Sequence, residues 1–227
     1  MAKINRSSHF DGMVAMSMGG IRIGTPTDPI RLAVLISGSG SGMVALANFQ
    51  SNHDVAFKIE IVISDKQSKG LTKAEELGLD NVFCPISANE PKETRRREHE
   101  HRIEELLIKH DIEVVILSGY MRLVTAEFVN HWEGKILNIH PSLLPAHPGA
   151  HAHRDVLASG DKESGCTIHF VDAGMDTGQI IAQAKVPVFN DDTEDSLAQR
   201  VKVEEHILYP KIIQEFCSSD NIRFNSS

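Results

Sequence analysis

Three short apolar runs constrain this chain more than any other feature: Leu32-Ala33-Val34-Leu35-Ile36, Val114-Val115-Ile116-Leu117 and Ile136-Leu137-Asn138-Ile139. A strand that is apolar at nearly every position has no face to give to water. It belongs in a sheet covered on both sides, as parallel sheets are. Between the first two runs, helix is expected over 43–49, strand over 57–63, a short helix over 69–78 and a short strand over 82–86. Ile103, Leu106 and Leu107 mark a long amphipathic helix over 92–110, and Thr125 caps a short helix that ends at His131. Strand alternating with helix implies right-handed βαβ units and a parallel sheet. Beyond residue 140 a helix is expected over 152–158. Two apolar or alternating runs, 167–171 and 180–188, form a hairpin across 172–178. The acids at 192–195 open a last helix through Leu197, Val201 and Ile207 toward Ile213. The expected fold is therefore α/β and Rossmann-like: a mostly parallel central sheet, flanking helices and a C-terminal antiparallel hairpin.

At 227 residues, 41% hydrophobic and 24% charged, the chain suits one well-buried domain. A net charge of −8 argues against a nucleic-acid face. The one basic run, Arg95-Arg96-Arg97, is interrupted by Glu93, Glu98 and Glu100 on its flanks. Cys84, Cys166 and Cys217 form no CxxC pair and no disulfide framework, which fits a reducing compartment, and the cytoplasm is the expected location. No apolar run reaches membrane-spanning length. Residues 1–30 lack periodicity and an apolar signal core. They are read as an irregular extension, with a mis-placed start, a cloning remnant or a transit peptide as alternatives. Residues 31–217 are expected to form the domain and 218–227 a tail.

In parallel sheets ligands bind beyond the carboxyl ends of the strands. Three unusual segments fall there: Gly38–Gly42, Gly119–Val124 and Asn138–His140. Gly40, Ser41 and Gly42 bring backbone N–H groups to a helix N-terminus, where an anion is favoured. The loop is neither a Walker A sequence nor GxGxxG, so it fits a phosphate monoester better than a dinucleotide, with a flexible turn as the plain alternative. Met121, Arg122, Leu123 and Val124 can line a slot for a flat ring or simply pack into the core. Asn138 and His140 place a carboxamide and an imidazole two residues apart at a strand end, ahead of a proline turn. These groups serve acyl transfer to an amine, the first by donating to an oxyanion and the second by moving a proton. Asp176, between two glycines, is either a turn residue or a carboxylate that favours a charged His140. Spacing alone does not join the two. His147, His151 and His153 make a zinc site conceivable. No cysteine or carboxylate is interleaved at ligand spacing, so no metal is expected. His169 is read as a hydrogen-bonded strand residue. Glu204-Glu205-His206 is read as a solvated helix face, from which an acid reaches an amine only if the helix flanks the site.

Taken in order, VLISGSGSG at 34–42, SGYMRLV at 118–124 and ILNIHPSLLPAHPGAHAHRDVL at 136–157 resemble the phosphoribosylglycinamide formyltransferase family. So do GCTIHFVDAGMDTGQIIAQAKVPV at 165–188 and EEHILYP at 204–210. The resemblance covers 32–215. Pro-Ser after the histidine and Pro-Gly-x-His at 148–151 are similar to its purine-pathway branch. It implies transfer of a formyl group from 10-formyltetrahydrofolate, as co-substrate, to the amine of phosphoribosylglycinamide, in a monomer or homodimer that binds neither nucleic acid nor membrane. Asn138, His140 and Asp176 then match the catalytic residues. Gly40, Ser41 and Gly42 match the phosphate loop, and Glu205 matches a ribonucleotide contact. Arg96, Met121, Arg122, Leu123, Val124 and Asn138 match the folate side. The chain departs from the family's usual asparagine at Gly42 and often at Ser39, which puts ribose-phosphate contacts in question. The residues also leave open formyl transfer to another amine, such as an amino sugar, and a folate- or nucleotide-binding protein without catalysis.

Overall fold

A computed structural model describes residues 21–89 and 91–224. The elements in chain order are β1 (Ile30–Ile36), α1 (Ser41–Asn52), β2 (Phe57–Ser64), α2 (Lys69–Glu76), β3 (Asn81–Phe83), α3 (Arg95–Lys109) and β4 (Val114–Leu117). They continue with α4 (Ala126–His131), β5 (Ile136–His140), α5 (Ala152–Ser159), β6 (Glu163–Phe170), β7 (Ile180–Pro187) and α6 (Glu194–Ser218). One seven-stranded sheet has the order β3-β2-β1-β4-β5-β6-β7. Its first five strands are parallel, while β6 and β7 run antiparallel to their neighbours.

The reason for the apolar runs is visible in the packing. Every side chain of β1 except Arg31 is buried, and alternate residues enter two separate cores. Leu32, Val34 and Ile36 join Met43 and Leu46 of α1, Val156 of α5, and Leu197, Val201 and Ile213 of α6. Ala33 and Leu35 join Ile103 and Leu107 of α3, and Phe128 of α4. Helices therefore cover both faces, as continuous apolar strands require. Among the described residues no helix is long and apolar enough to cross a membrane.

Several element bounds differ from expectation for local reasons. β3 ends at Phe83 rather than 86, close to Pro85, which has no N–H for the ladder. β6 starts at Glu163, four residues early, because Gly165 lets the β7 backbone close in. A Cβ at Gly165 would lie 1.9 Å from the Ala184 carbonyl oxygen. α6 continues to Ser218, since Phe216 and Cys217 are also buried. Residues 1–20 of the expected extension lie outside the described residues, whereas 21–30 are tied to the domain. Arg22 donates to both carboxylate oxygens of Glu113 at 2.6 and 3.0 Å, the Gly24 N–H donates to the Cys217 carbonyl at 2.7 Å, and Ile30 already belongs to β1. In the expected tail, Phe224 stands edge-on to Phe170 with centroids 5.4 Å apart.

Candidate active site

The strand order reverses between β1 and β4. From β1 the chain enters α1 on one face of the sheet, and from β4 it enters α4 on the other. Loops that part in this way leave a crevice at the carboxyl ends of the strands. A cavity of about 510 Å³ occupies it. All three conspicuous segments meet there: Gly38–Gly42, Gly119–Val124 and Asn138–His140 all contribute to the wall. Asp176 and Glu205 reach the same wall from the β6–β7 connection and from α6.

The pairing that spacing could not supply is made in space. Asp176 Oδ2 lies 3.3 Å from His140 Nδ1, and both side chains are largely buried. The same oxygen accepts the Gly149 N–H at 2.8 Å, which links the loop after β5 to the β6–β7 connection. Asp176 has a positive φ of 57°, a conformation that Asp tolerates better than most residues. His140 Nε2 is 2.9 Å from the His147 carbonyl. Both ring nitrogens thus face acceptors, and only the imidazolium has two N–H groups to donate. Ser142 Oγ lies 3.1 Å from the same carbonyl but gives its one proton to the nearer Ala146 carbonyl at 2.6 Å, so the imidazole is the donor that the His147 carbonyl depends on.

Asn138 is held by His169. The Nδ1 of His169 is 2.8 Å from the Phe170 carbonyl and must carry the proton, so Nε2 is left as an acceptor. The Asn138 Nδ2 group donates to it at 3.1 Å. Burial lowers the His169 pKa, which suits this neutral role. One N–H of the carboxamide is thereby committed and fixes its orientation. The second remains for a ligand in the cavity that Asn138 lines. His169 is thus more than the strand residue expected from sequence; it positions Asn138.

On the opposite side of the crevice, Gly40 takes a left-handed φ of 64° as the N-cap of α1, and no side chain caps that helix. A Cβ on Gly40 would meet the Gly70 Cα at 2.8 Å, so the glycine serves both the turn and the close approach. The first amides of α1 are left for an anion. Lys73 Nζ donates to the Ser39 carbonyl at 3.0 Å, placing a cation beside this loop. Glu205 is the only member of the 204–206 run in the wall, and burial pushes its carboxyl pKa up to about 7.

The Gly119–Val124 loop is pinned by the Met121 N–H, which donates to Ser37 Oγ at 2.9 Å. Met121 and Leu123 remain 57% and 51% exposed, so they line an open apolar slot rather than filling a core. Arg122 pairs with the buried Asp65 at 2.6 Å. Arg96 is different: it is exposed near the start of α3 and is not brought to the cavity wall. The three histidines do not converge. His147 pairs with Asp161 at 2.7 Å, His151 is the exposed N-cap of α5, and His153 lines the cavity. Sequence reasoning missed Asp65, Ser118 and Tyr209, and weighed His153 only as a conceivable zinc ligand. The Tyr209 hydroxyl reaches the Leu117 and Leu137 carbonyls at 2.9 and 3.1 Å and braces the ends of β4 and β5. No local pattern marks these residues, because each depends on where a distant segment folds back.

The family model described as formyl transferase matches residues 30–213. The chain belongs to the formyl transferase family. Within it, the chain is 40% identical over 188 residues to the phosphoribosylglycinamide formyltransferase of Escherichia coli, covering 82% of this chain and 87% of that one. It is 43% identical over 195 residues to the trifunctional purine biosynthetic protein adenosine-3 of Chironomus tentans, covering 86% of this chain. The chain spans only 14% of the length of that trifunctional relative. The crystal structure of glycinamide ribonucleotide transformylase 1 from Symbiobacterium toebii is similar, with a TM-score of 0.78 and 40% identity over 83% of this chain and 88% of that one. The likeness to that solved structure extends over most of the seven-stranded sheet's chain, which is the fold the two share.

Proposed function

We propose that this chain transfers the formyl group of 10-formyltetrahydrofolate to the amine of phosphoribosylglycinamide, a step of purine biosynthesis, with residues 31–217 as the transferase domain. The observation that carries the reading is the His140–Asp176 pair beside an oriented Asn138, between an anion-ready helix N-terminus and an apolar slot. The open faces of Met121 and Leu123 suit a flat pterin, and we assign Arg122 and Val124 to the same side. Gly40, Ser41 and Gly42 would hold the phosphate, and Glu205 the ribose hydroxyls. Arg96 would join the folate only at the rim, since it is exposed.

In this reading the neutral amine attacks the formyl carbon and the carbonyl oxygen becomes an oxyanion. Asn138 donates its free N–H to that oxygen, and the His140 imidazolium adds positive charge. The attacking nitrogen loses a proton, the bond from the formyl carbon to the folate nitrogen breaks, and that nitrogen gains a proton through His140. For this the His140 ring must turn from the His147 carbonyl, which lies 2.9 Å from its Nε2. Asp176 holds the ring from its Nδ1 side throughout.

Incubation of the purified chain with both substrates, followed by absorbance of the tetrahydrofolate product, tests the assignment. Release of tetrahydrofolate that requires phosphoribosylglycinamide supports it. Equal release with an amino sugar, or none with any amine, refutes it.

Glu205 gives a pH signature. Its carboxyl pKa of about 7 makes it a charged acceptor above pH 7 and a neutral one below. The KM for the ribonucleotide should rise as pH falls through 7, and Glu205→Gln should flatten that dependence. Stability runs the other way. Between 4.5 and about 7 the folded chain keeps a proton that the unfolded chain has released, so this group's contribution falls as pH rises. Glu205→Gln should therefore raise the thermal midpoint at pH 8 and leave it nearly unchanged at pH 4.5. A uniform shift at both pH values would contradict the burial argument.

A further inference from the structure

Ser118 sits where β4 ends and the crevice opens. Val114 and Ile116 enter the core shared with α1 and α6, while Val115 and Leu117 enter the opposite one. The same alternation turns Ser118 toward α1. Its backbone is fixed, with the N–H donating to the Leu35 carbonyl at 3.0 Å. The residue is only 7% exposed, yet it lines the cavity. Among the described residues its hydroxyl forms no hydrogen bond. Nor is Ser118 Oγ one of the sealed polar atoms without partners, which are Asp65 Oδ1, His153 Nδ1, Ser164 Oγ and His206 Nε2. The hydroxyl therefore opens onto the cavity.

What it faces is set by Gly42, the second residue of α1. A Cβ built there would lie 2.4 Å from Ser118 Oγ. Gly42 has no positive φ, so its backbone does not call for glycine. Glycine inside a helix costs stability relative to alanine, and here the gain is space. The space lets a hydroxyl stand against the first turn of α1, beside amides that no side chain caps.

We propose that Ser118 is a substrate-binding residue whose hydroxyl donates to a phosphate held by the first amides of α1, and that Gly42 is the gap admitting it. Naming the anion as the phosphate of a ribonucleotide rests on the functional reading above; the hydroxyl, the gap and the uncapped amides do not. A neutral O–H donating to an anionic phosphate is a charge-assisted bond, whose loss weakens binding by about tenfold or more.

Calorimetric titration with ribose 5-phosphate, with ribose as the control, tests the contact without requiring turnover. The wild type should bind ribose 5-phosphate. Ser118→Ala should weaken that binding about tenfold. Gly42→Ala should weaken it similarly, because its methyl group displaces Oγ. The double variant should be no weaker than Ser118→Ala alone, since the methyl then has no hydroxyl to displace. Ser118→Ala removes only an unpaired hydroxyl, and its thermal midpoint should match the wild type. Unchanged affinity in Ser118→Ala, losses that multiply in the double variant, or a wild type that does not bind ribose 5-phosphate each overturns the proposal. The formyl-transfer assay decides the functional reading separately: a chain that binds ribose 5-phosphate through Ser118 but forms no tetrahydrofolate keeps the contact and loses the activity.

Discussion

We expect His140→Ala to lower formyl transfer by about 10³-fold or more, because on the proposed mechanism it removes both the proton carrier and a positive charge beside the oxyanion. The fold survives. Ser142 Oγ still donates to the Ala146 carbonyl at 2.6 Å, and the Gly149 N–H still donates to Asp176 Oδ2 at 2.8 Å. The loop after β5 therefore keeps two anchors, and the expected stability loss is about 3 kcal/mol, that of leaving the His147 carbonyl and the buried Asp176 carboxylate without the imidazole. Single-turnover rates and thermal melts on the same preparation check this. Turnover within tenfold of the wild type would remove His140 from the mechanism. A collapsed melting transition would instead make it a structural residue.

Asp176→Asn isolates charge from shape and is expected to cost about 10²-fold to 10³-fold in kcat. The amide is nearly isosteric, and asparagine tolerates the positive φ at this position, so the backbone has no reason to move. Its oxygen can still accept the Gly149 N–H. What disappears is the negative charge 3.3 Å from His140 Nδ1. The loss should fall on kcat, with the ribonucleotide KM little changed, because the phosphate loop and Glu205 are elsewhere in the wall. A rise confined to KM would move Asp176 from proton management to substrate binding.

The fold was legible wherever burial is dictated locally. β1, β4 and β5 declare themselves because a residue such as Val34 or Ile116 has no polar neighbour to offer water. Thr125 announced a helix start, and its hydroxyl accepts the Phe128 N–H at 3.3 Å. Half of the site was legible for a related reason: Gly40, Asn138 and His140 sit at strand ends, and strand ends in a parallel sheet converge. The remainder depends on contacts between distant segments. His140 and Asp176 are joined only because β6 folds back against β5, setting His169 opposite Asn138. Ser118 matters only beside Gly42, and neither residue suggests the other in sequence. Arg96 rests on the resemblance alone. Its place on α3 leaves it exposed, where only a ligand reaching beyond the cavity wall would meet it.

The last helix has a consequence for the order in which the site is made. α6 supplies Glu205 to the cavity wall, and its Tyr209 ties the carbonyls immediately before Ser118 and Asn138. A chain emerging from the ribosome can pair β1 through β5, which arrive in sequence, while both contributions are still unsynthesised. Until residue 209 is free to pack, the crevice lacks both this brace and the Glu205 carboxyl in its wall. On the proposed reading, a ligand that engages Glu205 therefore binds only after α6 has been made and has packed.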